Sequence, residues 1–380
     1  MTKIKVLETI RQGKIGGGES HVLTLVKELD KSLFEPIVLS FTPGPMVDEL
    51  EKLGIKTHVI FTERGFDFKL TNQIKQLLID EDIELVHNHG TRAASNLWRA
   101  CKKLNIPTVY TVHGWSFHDD QSFFVKNARI LSEKLITSQA NQTISVSHSN
   151  QKTGQDHIRG FKSTVIRNGI DLNKFNYQAI QSSIREEYNI PENHVLIGYI
   201  VRMDIQKDPI TMVKAFKEVY DQHENVTLLM IGEGPLRQET EALVKELGIG
   251  DRLILDNFRQ DVPNVLAGID IYCLPSLWEG LPIGMLEAMA MKKCIVATRV
   301  DGSKEILKDM VNGLLIEPQQ PQMLAEALLK VIKNKELCDS TASNAFQTIQ
   351  NEFTAVAMTK KVEELYFKVL GKQVPVSSSI

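Results

Sequence analysis

Short β-branched runs alternate with amphipathic stretches along almost the whole 380-residue chain, and this alternation constrains its fold more than any other feature. In the first half the runs read IKVLETI, PIVLSF, KTHVIF, IELVHNH, TVYTVH, QTISVS and STVIRNG, with segments such as SHVLTLVKELDKSL and LTNQIKQLLIDED between several of them. The second half repeats the logic with HVLIGYIVR, VTLLMIGEG, LILDNF, IDIYCLPS, CIVATRV and GLLIEP, separated by stretches such as PITMVKAFKEVYDQH and PLRQETEALVKELG. Strands that alternate with helices predict an α/β fold with a parallel sheet covered on both faces and right-handed crossovers.

The chain is too long for one ordinary core, so two domains are expected. The break falls near NGIDLNKFNYQAIQSSIREEYNIPENH, residues 168–194, a polar stretch between two strand-rich blocks. The predicted boundaries are 1–172 and 173–357. Residues 358–380 hold most of the closing helix, AVAMTKKVEELYFKVLG, and a tail, KQVPVSSSI, expected to be disordered. No apolar run approaches the ~20 residues that span a bilayer, and MTKIKVLETI lacks a signal-peptide pattern. Cys101, Cys273, Cys294 and Cys338 show no metal spacing and read as reduced thiols, so a cytoplasmic location is expected. Residues 1–170 carry 22 Lys and Arg against 18 Asp and Glu, whereas the remainder carries 22 against 29. The mildly basic half suits an anionic substrate or peripheral contact with a membrane surface, although ordinary surface variation gives the same difference.

In parallel sheets, ligands bind beyond the C-terminal ends of the strands. The residues there are Gly16–Gly18, His87–His89 and His113–Gly114 in the first half. In the second they are Arg202–Lys207, Gly232–Pro235 and Ser276–Pro282. These groups are expected at two facing edges with a cleft between the domains. The glycine loop GKIGGGESHVLTL feeds a helix whose free N–H groups suit a phosphate, or it is simply a tight turn. It is not a Walker A loop, which ends in Gly-Lys-Ser/Thr. His21 stands where a dinucleotide fingerprint needs its third glycine, which disfavours NAD. Arg202 and Lys207 in VRMDIQKDP can clamp a diphosphate, and Gly232 and Gly234 let backbone approach closely beside them.

The stretch EGLPIGMLEAMA places Glu279 in a loop and Glu287 on the second turn of a helix expected from about Leu281 to Lys292. A carboxylate accepts two hydrogen bonds side by side, as from the 2′,3′ hydroxyls of a ribose. Leu281, Pro282 and Ile283 start the helix, whose N–H groups suit phosphates. A buried glutamate paired with an arginine is the plainer reading of Glu287. His87 and His89 in HNH suggest a metal, but no third ligand is evident. His113 in TVHGWSF suits a cleft. The acidic DED at 80–82 closes a helix at the other end of the sheet and reads as a solvated turn.

Together these pieces resemble glycosyltransferase family 4, the retaining nucleotide-sugar transferases of the GT-B fold. The most specific element is the E-x7-E pair Glu279 and Glu287; GGGES, HNHG, TVHG, VIRNGID, VRMDIQKD, IGEGP and DVPNVLAGIDIYCLPS match in order. The resemblance implies that Glu287 holds the ribose and that Glu279 touches the donor sugar near its 3-hydroxyl. It implies too that Arg202 and Lys207 neutralise the diphosphate and that the Gly16 and Gly17 amides face the diphosphate or the acceptor. By the same resemblance His113 is expected beside the anomeric centre, and Phe258 to Val262 are expected to line the base pocket. It also implies a closing helix that returns to the first domain, a glycan or lipid-linked acceptor, no metal or other cofactor, and no nucleic-acid partner. Val201, Asp208, Lys292-Lys293-Cys294 and Asp301 depart from the common pattern and bear on loop shape and donor preference. The competing readings are a nucleotide-sugar 2-epimerase, a non-catalytic nucleotide-sugar binder and an NAD-dependent dehydrogenase.

Overall fold

A computed structural model of the chain describes residues 2–13, 16–118 and 121–374. Two units make it up. One joins Met1–Gly169 with Ala355–Ile380, and the other is Ile170–Thr354. The predicted tail lies outside the described residues from position 375 onward.

Among the described residues the first unit holds seven strands: β1 (Ile4–Ile10), β2 (Phe34–Ser40), β3 (Lys56–Val59), β4 (Leu85–His89), β5 (Thr108–Val112), β6 (Gln142–Ser145) and β7 (Thr164–Val165). They form one parallel sheet in the order β3-β2-β1-β4-β5-β6-β7. The central strands are buried on both faces, which is why they read as nearly continuous apolar runs. The exceptions are informative: Glu8, His87 and His89 are buried on β1 and β4, and a charge or imidazole there needs partners inside the protein. One core cluster includes Val6, Leu85 and Val109 from the sheet. The helix Ala355–Val369 adds Met358, Val362, Leu365, Tyr366 and Phe367 to the same cluster, so the last helix completes the core of the first sheet.

The second unit holds β8 (Val195–Ile200), β9 (Val226–Ile231), β10 (Leu253–Asp256), β11 (Ile271–Leu274), β12 (Cys294–Thr298) and β13 (Leu314–Ile316). The sheet is parallel, in the order β10-β9-β8-β11-β12-β13. Its core packs Tyr199, Leu228, Met230, Cys273 and Val296 against Met212, Phe216 and Leu328 of the covering helices. In both sheets the strand order reverses once, between β1 and β4 and between β8 and β11. A ligand crevice opens at such a reversal.

Two local expectations need correction. The helix after Glu279 is shorter than expected, Ile283–Ala290, because Pro282 stays extended (φ −72°, ψ 102°) as its N-cap. The DED turn is only partly solvated: Glu81 is buried and binds Lys56 Nζ at 2.6 Å and His58 Nε2 at 3.0 Å, while Asp82 is exposed in the left-handed region. The aromatics of GWSFHDDQSFF divide: Trp115 and Phe117 are core, whereas Phe123 and Phe124 are exposed.

Candidate active site

Two groups of residues stand at the two strand reversals, one in each unit. In the second unit the loops that follow β8 and β11 meet. The Leu277 amide donates to the Gln206 carbonyl at 2.7 Å, and Gln206 Nε2 donates to the Trp278 carbonyl at 2.8 Å. This pairing brings Lys207 Nζ onto Glu279 Oε1, an ion pair with little exposure of either side chain. The backbone beneath Lys207 is held from three sides. Tyr199 Oη donates to its carbonyl at 3.0 Å, Asp204 accepts from its amide, and Asp208 (φ 49°) accepts from the Thr211 amide at 3.1 Å to cap the helix Pro209–Gln222. A lysine fixed in this way offers charge at a set position, without a large reorganisation when a ligand arrives.

Arg202 lies on the same loop but is not part of that pair. Its side chain is two-thirds exposed, and its nearest acid is Asp204 at 3.7 Å. Gly232 closes the loop from the neighbouring strand at φ +141°. A Cβ there would sit 2.0 Å from the Val201 carbonyl oxygen, so only glycine lets the two backbones approach. Gly302 acts similarly on the Glu279 loop: its amide donates to the Glu279 carbonyl at 3.3 Å, and a Cβ would meet the Gly280 oxygen at 2.2 Å.

Pro282 caps the helix with no side-chain acceptor, which leaves the first helical N–H groups free for an anion. Leu281 and Pro282 are buried and Ile283 is half-buried. Glu287 lies on the next turn, half-buried between Leu286 and Ala288. Burial pushes its carboxyl up to about 7, against a smaller opposing pull from Lys174. Among the described residues no arginine pairs with it, so the plainer reading of a buried ion pair does not hold. Phe258 is exposed and Val262 half-buried, at the start of the helix Val262–Gly268.

In the first unit, Gly16 caps the helix Gly17–Glu28 in extended backbone, and both glycines are exposed. Behind them lies a group of four histidines. His89 Nε2 donates to Glu8 Oε2 at 2.8 Å, and its Nδ1 faces His113 Nε2 at 3.0 Å. His87 is fully engaged, with Nδ1 on Tyr366 Oη at 2.6 Å and Nε2 on Thr111 Oγ1 at 2.7 Å. Tyr366 Oη in turn donates to Glu8 Oε1 at 2.7 Å. Burial alone would raise the Glu8 carboxyl, but His87 and His89 outweigh it and hold it well below the usual carboxylate range. Burial, then neighbouring imidazoles, lowers His113 well below its ordinary value and brings His89 down to about 4. Both rings are therefore neutral at pH 7.

The sequence reading singled out His87, His89 and His113 but missed Glu8, His21 and Tyr366. A charged residue inside the apolar run IKVLETI was a readable signal. In the sequence His21 stands out only as a missing glycine. Tyr366 carried no signal, because its role depends on where the last helix packs.

Two parallel sheets of this order, each with polar groups at its reversal, are those of the GT-B fold. Residues 15–174 match the model for Glycosyltransferase Family 4, and residues 180–348 match that for Glycosyl transferases group 1. The chain belongs to glycosyltransferase family 4. It is similar to the Escherichia coli UDP-Gal:alpha-D-GlcNAc-diphosphoundecaprenol alpha-1,3-galactosyltransferase, at 24% identity over 97% of this chain and 98% of that one. It is also similar to the Bacillus anthracis N-acetyl-alpha-D-glucosaminyl L-malate synthase, at 23% identity over 84% of each. Among solved structures, Anabaena HepE in complex with UDP and glucose has the same fold, with a TM-score of 0.85 and 22% identity over 96% of this chain and all of that one.

Proposed function

We propose that this glycosyltransferase moves a hexose or N-acetylhexosamine from a nucleoside-diphosphate sugar to a glycan or lipid-linked acceptor in bacterial surface polysaccharide synthesis, with retention at the anomeric carbon. The observation that carries this reading is the element Glu279–Glu287. It presents a carboxylate paired with Lys207, a free helix start and a second carboxylate within one loop and two turns. Sugar, diphosphate and ribose find their partners there in that order. UDP is the favoured nucleotide, in keeping with the UDP named for HepE and for the E. coli relative.

In the proposed reaction the bond between the anomeric carbon and the phosphate oxygen breaks, and its electron pair stays on the diphosphate. Lys207, Arg202 and the helix start at Ile283 stabilise that charge. The acceptor hydroxyl attacks from the face the phosphate leaves, and its proton passes to the departing phosphate oxygen. His113, neutral and held by His89, lies beside the donor sugar in this reading. No side chain acts as a covalent nucleophile, and no metal or other cofactor is needed. The E-x7-E pair argues against a 2-epimerase, and the retained Lys207 and Glu279 argue against a binder without activity.

Thermal unfolding with UDP, GDP, ADP and NAD, each with and without EDTA, tests the reading. A ligand at ~100 times its dissociation constant adds about 2.7 kcal/mol to the folded state. One nucleoside diphosphate should raise the melting temperature, and EDTA should not change the rise. Stabilisation by NAD alone, or by none of the four, would refute the donor assignment.

The helix Phe123–Gln139 supports a lipid-linked acceptor at a membrane surface. Phe123, Phe124, Leu131 and Leu135 are exposed on it, beside Lys126, Arg129 and Lys134. Apolar side chains flanked by cations suit the boundary of an anionic bilayer, and among the described residues no helix is long and apolar enough to cross one. The chain should sediment with anionic vesicles, and Phe123→Ser with Phe124→Ser should weaken this by about tenfold. Equal sedimentation of both forms would exclude this face.

A further inference from the structure

The histidine group of the first unit holds more than its part in transfer requires. We propose that His21, His89 and His113 form a binding site for one divalent transition-metal ion, and that this ion holds the transferase inactive by occupying the His113 imidazole. The second half of the proposal rests on the function proposed above; the first half does not.

Each of the three residues offers one ring nitrogen, and the three nitrogens lie within 4.8 Å of one another. A metal bound at the usual 2.0–2.1 Å separates tetrahedral ligands by about 3.4 Å, so modest ring rotations close the set. The His21 ring centroid is 4.9 Å from that of His113 and 5.4 Å from that of His89. His21 is 4% exposed, yet among the described residues neither of its ring nitrogens has a hydrogen-bond partner. The Asn168 side chain lies close enough to favour its protonated form. A buried imidazole with two unpaired nitrogens is costly, and a metal bond removes one of them.

The surroundings prepare His89 for this role. Its Nε2–H is committed to Glu8, which leaves the Nδ1 lone pair facing His113. A carboxylate behind a histidine ligand orients the ring and raises its basicity. Glu8 is itself fixed by Tyr366. A second set of close groups, Glu8, His87 and His89, is not available, because His87 spends both nitrogens on Tyr366 and Thr111. Burial keeps His21, His89 and His113 neutral, as metal ligands must be. His113 is partly exposed, so a fourth position is open to water. Three imidazoles suit zinc, copper, nickel or cobalt, whereas magnesium and calcium prefer oxygen.

Cobalt(II) titrated into the purified chain is the test. One equivalent should bind, with the visible ligand-field bands of a four-coordinate nitrogen site and no thiolate charge-transfer band. His21→Gln should weaken binding about tenfold or more, and His113→Asn, placed on a loop, should do the same if the first variant does not fold. Magnesium should compete with neither. One equivalent of zinc should abolish transfer, and EDTA should restore it. Absence of saturable cobalt binding, a thiolate band, or unchanged affinity in a folded variant would overturn the site. Cobalt binding with full activity in the presence of zinc would overturn the inhibition. A chain that binds cobalt but transfers no sugar from any donor would leave the site standing and refute the proposed function instead.

Discussion

A Lys207→Ala variant is expected to lose at least two orders of magnitude in turnover while it still folds. The leaving diphosphate gains charge as its bond to the sugar breaks, and a preorganised cation or donor at such a position contributes roughly 3 kcal/mol, about a hundredfold in rate. Lys207 meets the requirement for preorganisation. Its backbone is tied to Tyr199 and Asp204, and its ammonium is already in place on Glu279. Removing it also leaves Glu279 buried without its cation, so the melting temperature should fall. The two effects separate kinetically. Loss of transition-state charge lowers kcat at saturating donor, whereas mere disorder of the loop raises KM first. Lys207→Arg should recover part of the rate, because a cation remains within reach. Near-wild-type turnover in Lys207→Ala would mean that the leaving group is stabilised elsewhere, with the exposed Arg202 the first candidate.

Glu287→Gln should abolish a pH dependence as well as weaken nucleotide binding. In the unliganded protein burial holds the Glu287 carboxyl near 7. A ribose diol donates two hydrogen bonds to the ionised form, so binding favours proton release. Nucleoside diphosphate affinity should therefore fall as pH drops below about 7, approaching tenfold per unit, and a neutral amide should flatten that slope. Stability runs the other way. A carboxyl whose value is raised on folding stabilises the folded state fully below its unfolded value near 4.5, and that contribution is lost as pH rises through 7. The unliganded wild type should thus lose stability across this window relative to Glu287→Gln. Calorimetric titration of UDP at several pH values, in buffers of different ionisation enthalpy, measures both the slope and the proton. A wild-type affinity independent of pH from about 5.5 to about 7.5, around the Glu287 value near 7, would remove Glu287 from the ribose site.

The strands were readable because both sheets are parallel and buried on two faces, so each central strand is a short apolar run between polar segments. The Lys207–Glu279 loops were readable for a related reason: they follow strands, and the chain direction places them at one edge of the sheet. What escaped is of another kind. Pro282 looked like a first-turn residue and is the cap, because its backbone stays extended at ψ 102°. His21 was invisible as a partner of His89 and His113, since three imidazoles on a helix, a strand and a loop share no spacing. Glu8 was a charge in a strand with no visible reason until Tyr366 and two histidines surrounded it. Local pattern records which elements form. It does not record which buried polar groups find one another across them.

The hydrogen bond from Tyr366 to Glu8 spans 358 residues of sequence. On the ribosome, β1 is made before the other strands of its sheet, and the helix Ala355–Val369 after all of them. The unit Ile170–Thr354 is contiguous and has all of its strands available before that helix emerges. The first sheet is not: until residue 366 leaves the exit tunnel, Glu8 lacks the hydroxyl that fixes it, and the core cluster around Val6 and Leu85 lacks one wall. Synthesis therefore completes the two units in reverse of their order in the chain, and a chain cut before Ala355 keeps the second unit whole while the first sheet lacks a wall of its core.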